Sequence, residues 1–137
     1  MEARRSRVQQ TAAPVILLDT NAIIWLHQGD ARAAQLTARS TRLYASPASL
    51  LELQFLPESG RLRVRGGGPV EQLLQDDRWV LDNPASAAWF EKATLVGWTR
   101  DPFDRLLVAH ARLRAWRLAT GDRALIARLD PGECLAL

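Results

Sequence analysis

Cysteine and lysine are nearly missing from this sequence of 137 residues, which contains one of each, Cys134 and Lys92. A single cysteine excludes a disulfide framework within the chain and a cysteine-rich zinc site, so we expect Cys134 to be a buried strand residue and not a nucleophile. No apolar run reaches the roughly 18 residues that a membrane-spanning helix requires. The short apolar run after the basic N-terminus ends at Asp19 and makes a poor signal peptide. We therefore expect a cytoplasmic protein.

Positive charge is only slightly in excess, because 18 basic residues face 15 acidic ones and leave a net charge of +3. Three arginines, Arg4, Arg5 and Arg7, fall near the N-terminus, so the rest of the chain is close to neutral. This balance permits a nucleic-acid partner but does not require one. Residues 1–13 show no periodic pattern and predict a flexible basic tail. Residues 14–137 have the length of one domain with its own core.

Short apolar runs alternate with helical patterns along the chain. Residues 15–18 form a continuous apolar run, which is typical of a strand buried on both faces of a parallel sheet. In a predicted helix over 31–40, we expect Ala34, Leu36 and Ala38 to face inward. The predicted strands are 15–18, 43–45, 79–81, 117–120 and 133–136, and the other predicted helices are 20–27, one that begins at 46–47, 69–76, 85–95, one that opens at 101–104, and 122–127. This alternation predicts an α/β domain with a central, mainly parallel five-stranded sheet.

Several acidic residues fall where a parallel sheet is expected to bind its ligand, beyond the carboxyl ends of the strands. Asp19 ends the first strand, and Asp122 follows the fourth strand, two residues after Thr120. Asp104 lies in the first turn of the strongest predicted helix, whose N-terminus should face the same edge of the sheet. Asn21 and Thr120 also belong to this edge, where they could orient a water molecule or serve only as turn residues.

Glu52 is a lone acid in a segment that is otherwise almost wholly apolar, with Leu50, Leu51, Leu53 and Phe55 around it. Burying a carboxylate in such surroundings is costly unless it has a partner. A divalent cation would supply that partner, since Mg²⁺ and Mn²⁺ prefer oxygen ligands, and it would also remove the repulsion between clustered carboxylates. The sequence therefore predicts a metal site that combines Glu52 with the three aspartates at the edge of the sheet.

Each acid also has a purely structural explanation. Asp101 is expected to be the N-cap of the helix that has proline at its first position, and Asp104 could simply suit the helix dipole. Asp122 could be another N-cap, Asp19 a turn residue, and Glu52 part of a solvated helix face. The joint placement favours the metal site, because independent caps need not converge on one edge.

Four segments occur in an order that is typical of a known family: LLDTN at 17–21, SPASLLEL at 46–53, RDPFDRLLVAHA at 100–111 and ATGD at 119–122. Together they resemble the PIN-domain proteins, most closely the VapC-like toxin ribonucleases of bacterial toxin–antitoxin pairs. The resemblance runs from about Val15 to the C-terminus, and its most specific part is the Asp-Pro-Phe-Asp-Arg stretch.

This resemblance implies a three-layer α/β/α PIN domain and a Mg²⁺- or Mn²⁺-dependent endoribonuclease. It also implies that the protein forms a homodimer and binds a cognate antitoxin. The acidic quartet that would hold the metal falls on Asp19, Glu52, Asp104 and Asp122. Thr120 would support it by positioning the attacking water. The chain departs from the family in carrying His110 where many relatives have Gln, in its glycine run at 66–68, and in its basic N-terminal extension. None of these departures removes an acid of the quartet.

Residues outside the quartet are assigned more weakly. Arg61, Arg63 and Arg65 alternate with apolar residues, so on a strand they would share one face. They are candidates for an RNA-binding arm or a dimer element, and equally for a charged edge that deters aggregation.

Since metal-activated water would replace a histidine base, we expect His27 and His110 to be packing or surface residues. The five tryptophans are expected to serve core or interface packing.

Three other functions remain open from the sequence. A phosphatase that forms an aspartyl phosphate would also place its nucleophile at Asp19, but it usually needs a second Asp where this chain has Asn21, and Lys92 precedes the strongest motif. A non-catalytic PIN-like binding module would keep the fold and lose the metal, which the intact quartet argues against. A nuclease that cleaves DNA would use the same chemistry, because the contacts that recognise a 2′-hydroxyl cannot be identified from sequence.

Overall fold

A computed structural model describes residues 14–38, 40–60, 71 and 75–137. Several predicted features lie outside the described residues: the tail at 1–13, Arg61, Arg63 and Arg65, the glycine run at 66–68, and most of the helix at 69–76. The fold and the candidate site are built from the remaining segments.

The centre of the fold is a sheet of five parallel strands, in the order β3-β2-β1-β4-β5. The strands are β1 Val15–Leu18, β2 Arg42–Ala45, β3 Trp79–Leu81, β4 Arg117–Thr120 and β5 Cys134–Ala136. All the predicted strands are confirmed to within one residue. The sheet is parallel throughout, because each of its four neighbouring pairs runs in the same direction.

Helices connect the strands and lie on both faces of the sheet. They are α1 Thr20–Gln28, a 3-10 helix at Ala31–Thr37, α2 Pro47–Glu58, α3 Ser86–Thr94, α4 Pro102–Arg114 and α5 Arg123–Arg128. Of the helices in the described segments, none is both long and apolar enough to cross a membrane. The prediction of an α/β domain with helices around a central sheet is confirmed.

Alternate residues of β1 face opposite layers, which explains why this strand is apolar throughout. Ile16 and Leu18 pack with α1, the 3-10 helix, α2 and parts of β2 and β3. Leu17 points the other way and packs with α4 and α5. Cys134 of β5 is buried in this second layer, as predicted. The tryptophans are also packing residues: Trp79 and Trp89 are buried, and Trp25, Trp98 and Trp116 lie half-buried against the two cores.

The short 3-10 helix corrects one prediction about burial. Ala33 and Leu36 are buried, whereas Ala34 and Ala38 are exposed. A 3-10 helix has three residues per turn, so positions i and i+3 share a face. The expected inward positions of Ala34 and Ala38 assumed a longer α-helix and were wrong.

A buried polar network joins three elements that are distant in sequence. His110 of α4 is fully buried, with Nδ1 2.8 Å from Ser46 Oγ and Nε2 2.7 Å from Asp82 Oδ2. Ser46 is the N-cap of α2 and its hydroxyl accepts a hydrogen bond from the Ala48 N–H. Asp82 follows β3 and also accepts a hydrogen bond from Arg114 Nε at 2.8 Å. The network therefore fixes the start of α2 against α4 and the end of β3.

Neutral His110 satisfies this network better than the charged form does. The Ser46 hydroxyl already accepts a bond from backbone, so it can donate its proton to Nδ1 while Nε2–H donates to Asp82. Burial lowers the pKa of His110 below its ordinary value of 6.5, although the hydrogen bond with Asp82 acts in the opposite direction. Arg114 compensates the Asp82 charge, so the carboxylate attracts an imidazolium only weakly. We therefore assign His110 as the neutral imidazole.

Replacing His110 with alanine should destabilise the protein by about 2–4 kcal/mol, because it leaves a cavity and removes a hydrogen-bond partner from the buried Ser46 hydroxyl and from the partly buried Asp82. Unfolding in urea at neutral pH measures this free energy. The exposed His27 supplies the control, since His27→Ala should cost no more than about 0.5 kcal/mol.

The same variant tests the protonation state. Since the folded protein resists protonating His110, the wild type should lose part of its advantage over His110→Ala as the pH falls from about 7 to about 5. Equal stabilities of the His110→Ala and His27→Ala variants, or an advantage that grows on acidification, would contradict this assignment.

Candidate active site

The candidate site lies at the point in the sheet where the strand order changes direction, which is next to β1. Strand β1 is central, with β2 on one side and β4 on the other, and the connections run outward in opposite directions from it. Open parallel sheets leave a crevice at this position, beyond the carboxyl ends of the two strands. The Asp19 N–H donates to the Ala119 carbonyl at 3.0 Å, so the residue after β1 remains tied to β4.

A cavity of about 490 Å³ opens at this crevice, and all four predicted acids line it. The five acidic residues of its wall are Asp19, Glu52, Asp101, Asp104 and Asp122. Among the described residues that line the cavity, none is basic. We call these residues the acidic pocket. The structure thus brings together side chains that are up to about a hundred positions apart in the sequence, at one edge of the sheet.

Asp19 is the most buried of these acids. Its Oδ1 accepts a hydrogen bond from the Ala22 N–H at 2.7 Å, which makes Asp19 the N-cap of α1. Burial raises its pKa from 3.8 to about 6, assisted by the negative charges of Glu52 and Asp122, while hydrogen bonds from Thr120 and Ala22 lower it. The carboxylate is therefore held in place but incompletely compensated.

Asp104 is half-buried in the first turn of α4, and its pKa rises from 3.8 to about 7. Burial is the largest cause, and the charges of Asp101, Asp122 and Glu52 follow it. The N-terminus of a helix normally favours a negative side chain. Here burial and repulsion outweigh that attraction, so this carboxyl group readily keeps a proton near neutral pH.

Glu52 is oriented by α1, because the Thr20 hydroxyl donates a hydrogen bond to its Oε1. Thr20 also contacts Ser49, whose hydroxyl oxygen lies 3.0 Å from its own. The apolar neighbours of Glu52 are not all buried, since Leu51 is 65% and Phe55 46% exposed. Glu52 itself is half-buried, so the apolar sequence around it does not enclose it on every side. The helical repeat turns Leu51 and Phe55 outward and leaves Glu52 at the pocket wall.

Asp122 serves as a helix cap and as a wall of the pocket at once. Its Oδ1 accepts hydrogen bonds from the Ala124 and Leu125 N–H groups, at 2.8 and 3.2 Å, at the start of α5. Its own N–H donates to Thr120 Oγ1 at 3.0 Å. Thr120 is fully buried and is not among the residues that line the pocket. Its hydroxyl thus forms hydrogen bonds with both the Asp19 carboxylate and the Asp122 N–H without facing the pocket.

Asp101 is confirmed as the N-cap of α4, because its Oδ1 accepts from Phe103 N–H at 2.8 Å and from Asp104 N–H at 3.2 Å. The sequence argument assigned it this structural role and nothing more. The structure adds that Asp101 lines the pocket and helps raise the pKa of Asp104. Asp101 and Asp104 are three residues apart at the start of α4, and this spacing could have indicated from the sequence that their side chains are neighbours.

Trp25 and Gly121 form a contact that the sequence analysis missed. A methyl group added to Gly121 would lie 2.4 Å from Cη2 of the Trp25 indole, which is far inside van der Waals contact. The turn between β4 and α5 therefore needs glycine for the ring to lie where it does. Trp25 is half-buried and contributes an apolar wall to the acidic pocket.

The donor set of the pocket fits a hard divalent cation. Within the described segments, no three Asp, Glu, His or Cys side chains are close enough to enclose a metal ion directly. Mg²⁺ commonly binds through one or two carboxylates and keeps several waters. A wall of five carboxylic acids without a basic partner among the described residues suits that water-mediated form of binding.

Comparison with known proteins agrees with this architecture. Residues 16–130 match the sequence profile of the PIN domain. The chain belongs to the PIN-domain family. The resemblance inferred from the four sequence segments is thereby confirmed at the level of the family. A comparison with curated proteins gives no sequence match.

Chains of three solved structures share the fold of this PIN domain. A chain of a toxin–antitoxin complex from Klebsiella pneumoniae superposes with a TM-score of 0.64 at 18% identity, covering 88% of this chain and 96% of that one. A chain of VapBC2 from Rickettsia felis, bound to a DNA fragment from their promoter, gives 0.59 at 19% identity, with coverage of 88% and 96%. FitAB bound to the IR36 DNA fragment gives 0.53 at 20% identity, with coverage of 88% and 94%.

Protons should compete with a metal ion for the acidic pocket. The pKa values of Asp19 and Asp104, about 6 and about 7, lie above 3.8, so these groups keep protons that a bound cation must displace. We expect the affinity for Mn²⁺, measured by calorimetric titration, to rise by roughly tenfold or more between about pH 5.5 and about pH 8. Asp104→Asn removes one of the two carboxyl groups that must release a proton, so the affinity for Mn²⁺ should change less with pH above about pH 6.

The same shifts predict how pH and metal affect stability. A carboxyl group with a raised pKa stabilises the fold below its unfolded value and loses that contribution as the pH rises through its folded value. In the metal-free protein the contribution of Asp19 and Asp104 to stability should therefore be lost between about pH 4 and pH 7, and Mn²⁺ should raise the melting temperature more at about pH 8 than at about pH 5.5. A pH-independent response to Mn²⁺ would contradict this electrostatic account.

Proposed function

We propose that this PIN domain is a metal-dependent endoribonuclease that hydrolyses RNA phosphodiester bonds. The observation that carries the proposal is the convergence of Asp19, Glu52, Asp104 and Asp122 on one cavity at the switch point of the sheet. Clustered carboxylates of this kind are unfavourable without a cation, and a cation makes them stable in their ionised form.

The four acids of the quartet would hold one or two Mg²⁺ or Mn²⁺ ions, in part through water. When bound, such an ion lowers the pKa of a bound water and neutralises charge that builds on the phosphate. The protein orients the donors: Thr120 connects Asp19 and Asp122, and Thr20 holds Glu52. We place Thr120 as a positioning residue, because its hydroxyl is buried behind the pocket.

Replacing one acid with its amide separates catalysis from folding. Asp104→Asn keeps the shape of the side chain and removes a charge that its surroundings repel, so we expect the variant to be as stable as the wild type or more so. Its metal-dependent cleavage of single-stranded RNA should fall by at least about a hundredfold. The exposed Asp77 supplies the control, since Asp77→Asn should cleave RNA like the wild type.

The assay also discriminates the alternatives. Cleavage should disappear with a chelator and return with Mn²⁺, and single-stranded DNA in parallel reports whether the 2′-hydroxyl matters. A folded Asp104→Asn variant with full activity would contradict the assignment. A wild type that binds RNA but never cleaves it would favour the non-catalytic binding module.

We also propose that the protein is the toxin of a toxin–antitoxin pair and that it forms a homodimer. Support comes from the structural matches to chains of such complexes, which share its fold, and from the sequence resemblance to VapC-like toxins. Leu51 and Phe55, two exposed apolar residues of α2, offer surface that a partner could bury.

Expression in a bacterial host tests the toxin role. Induction of the wild-type chain should arrest growth, whereas Asp104→Asn, produced at the same level, should permit it, because arrest depends on RNA cleavage. Colony counts after induction measure the difference. Equal toxicity of the two proteins would show that growth arrest does not arise from the acidic pocket.

A further inference from the structure

A second open groove adjoins the acidic pocket and differs from it in charge. Its volume is about 680 Å³, and it shares Asn21, Trp25 and Asp122 with the pocket. From these shared residues it continues past Arg32 and Arg123 to the last residues of the chain. We call this surface the arginine groove. Any extended chain that reaches the acids along this side must cross it.

Arg32 forms an ordered, flat element of the groove. Its guanidinium carbon lies 4.1 Å from the centroid of the Trp25 ring, which is a cation–π contact. Its Nε and Nη2 donate to the two carboxylate oxygens of Asp30 at 3.1 and 2.8 Å. The side chain is nevertheless 57% exposed. Because Asp30 compensates the charge and fixes the orientation, Arg32 offers mainly a planar surface for stacking.

Arg123 is the second basic residue of the groove, and unlike Arg32 it is not paired with Asp30. It is the first residue of α5, it is exposed, and none of the ion pairs within the described segments includes it. It follows Asp122 directly, so a positive side chain borders the acidic pocket on the groove side. A phosphate next to the reacting one could contact Arg123 without entering the cluster of carboxylates.

A stacking plane beside an exposed basic side chain is the combination that single-stranded RNA uses, since bases stack on aromatic or guanidinium planes and phosphates pair with basic side chains. We propose that the arginine groove binds the single-stranded RNA segment next to the cleaved phosphodiester, with a base on Arg32 and a phosphate on Arg123. The proposal rests on the endoribonuclease function and adds the path of its substrate.

Binding can be measured apart from cleavage and from metal. Asp104→Asn, in EDTA, is titrated into a labelled single-stranded RNA of mixed sequence, and the affinity is recorded over a range of salt concentrations. Arg123→Gln on this background should weaken binding by about fivefold or more and reduce the salt slope by about 0.7. Arg128→Gln is the matched control, because it removes the same charge from an exposed position of the same helix outside the groove.

Arg32→Lys tests the stacking element, since lysine keeps the charge and loses the planar guanidinium. We expect it to weaken RNA binding by about fivefold or more with an unchanged salt slope. Melting temperatures of all variants check that the fold is intact. We expect no loss of stability, because Arg32 and Arg123 are both exposed.

The outcomes separate this proposal from the function on which it rests. Affinities of Arg123→Gln and Arg32→Lys that equal that of Arg128→Gln would overturn the groove, even if the wild type cleaves RNA with Mn²⁺. Weakened RNA binding by both variants supports the groove, and a wild type that cleaves no RNA would then overturn only the nuclease function.

Discussion

Burial of several carboxylates in one cavity, where they also repel one another, is the constraint on which the rest of the site depends. Burial and neighbouring negative charges raise the pKa of Asp104 to about 7 and that of Asp19 to about 6, and no basic residue in the described part of the pocket wall relieves them. The fold tolerates this cost because hydrogen bonds hold several acids individually: Asp19, Asp101 and Asp122 cap helices, and Thr20 binds Glu52. Capping and metal binding are therefore not competing explanations for these residues. The caps fix the acids in positions where a cation would be the missing partner.

The scaffold sets this geometry with elements that take no part in the proposed chemistry. The parallel sheet carries Asp19 and Asp122 at the ends of adjacent strands, β1 and β4. The acids on α2 and α4 need a further constraint, since a helix can shift along a sheet. The network through His110 supplies it, because it joins the first turn of α2 to α4. A neutral histidine donates once and accepts once, which matches the Asp82 carboxylate and the Ser46 hydroxyl on its two sides.

The sequence was sufficient for the strands, because a buried strand is a local signal, and it placed the four acids at the edge of the sheet where the structure has them. Their role as metal ligands stays a prediction. An apolar run such as residues 15–18, followed at once by an acid, indicates a buried strand and its carboxyl end together. Features that depend on tertiary contacts were missed or wrong. The partners of His110 lie 28 and 64 positions away, and the packing of Trp25 on Gly121 has no local pattern. The exposure of Leu51 and Phe55 is set by what α2 packs against, which apolar composition alone does not indicate. Arg61, Arg63 and Arg65, proposed as an RNA-binding arm, lie outside the described residues and stay a prediction.

If the acids form one cation site, the position of a bound cation in the crystal will show it. Crystals grown with Mn²⁺ give an anomalous signal that marks the ion without assumptions about its ligands. We expect a peak inside the acidic pocket, within reach of Asp19, Asp104 and Asp122 directly or through one water, and its loss in Glu52→Gln or Asp104→Asn crystals. A pocket without Mn²⁺ at neutral pH and millimolar metal, or an ion bound elsewhere while the acids keep their protons, would contradict it.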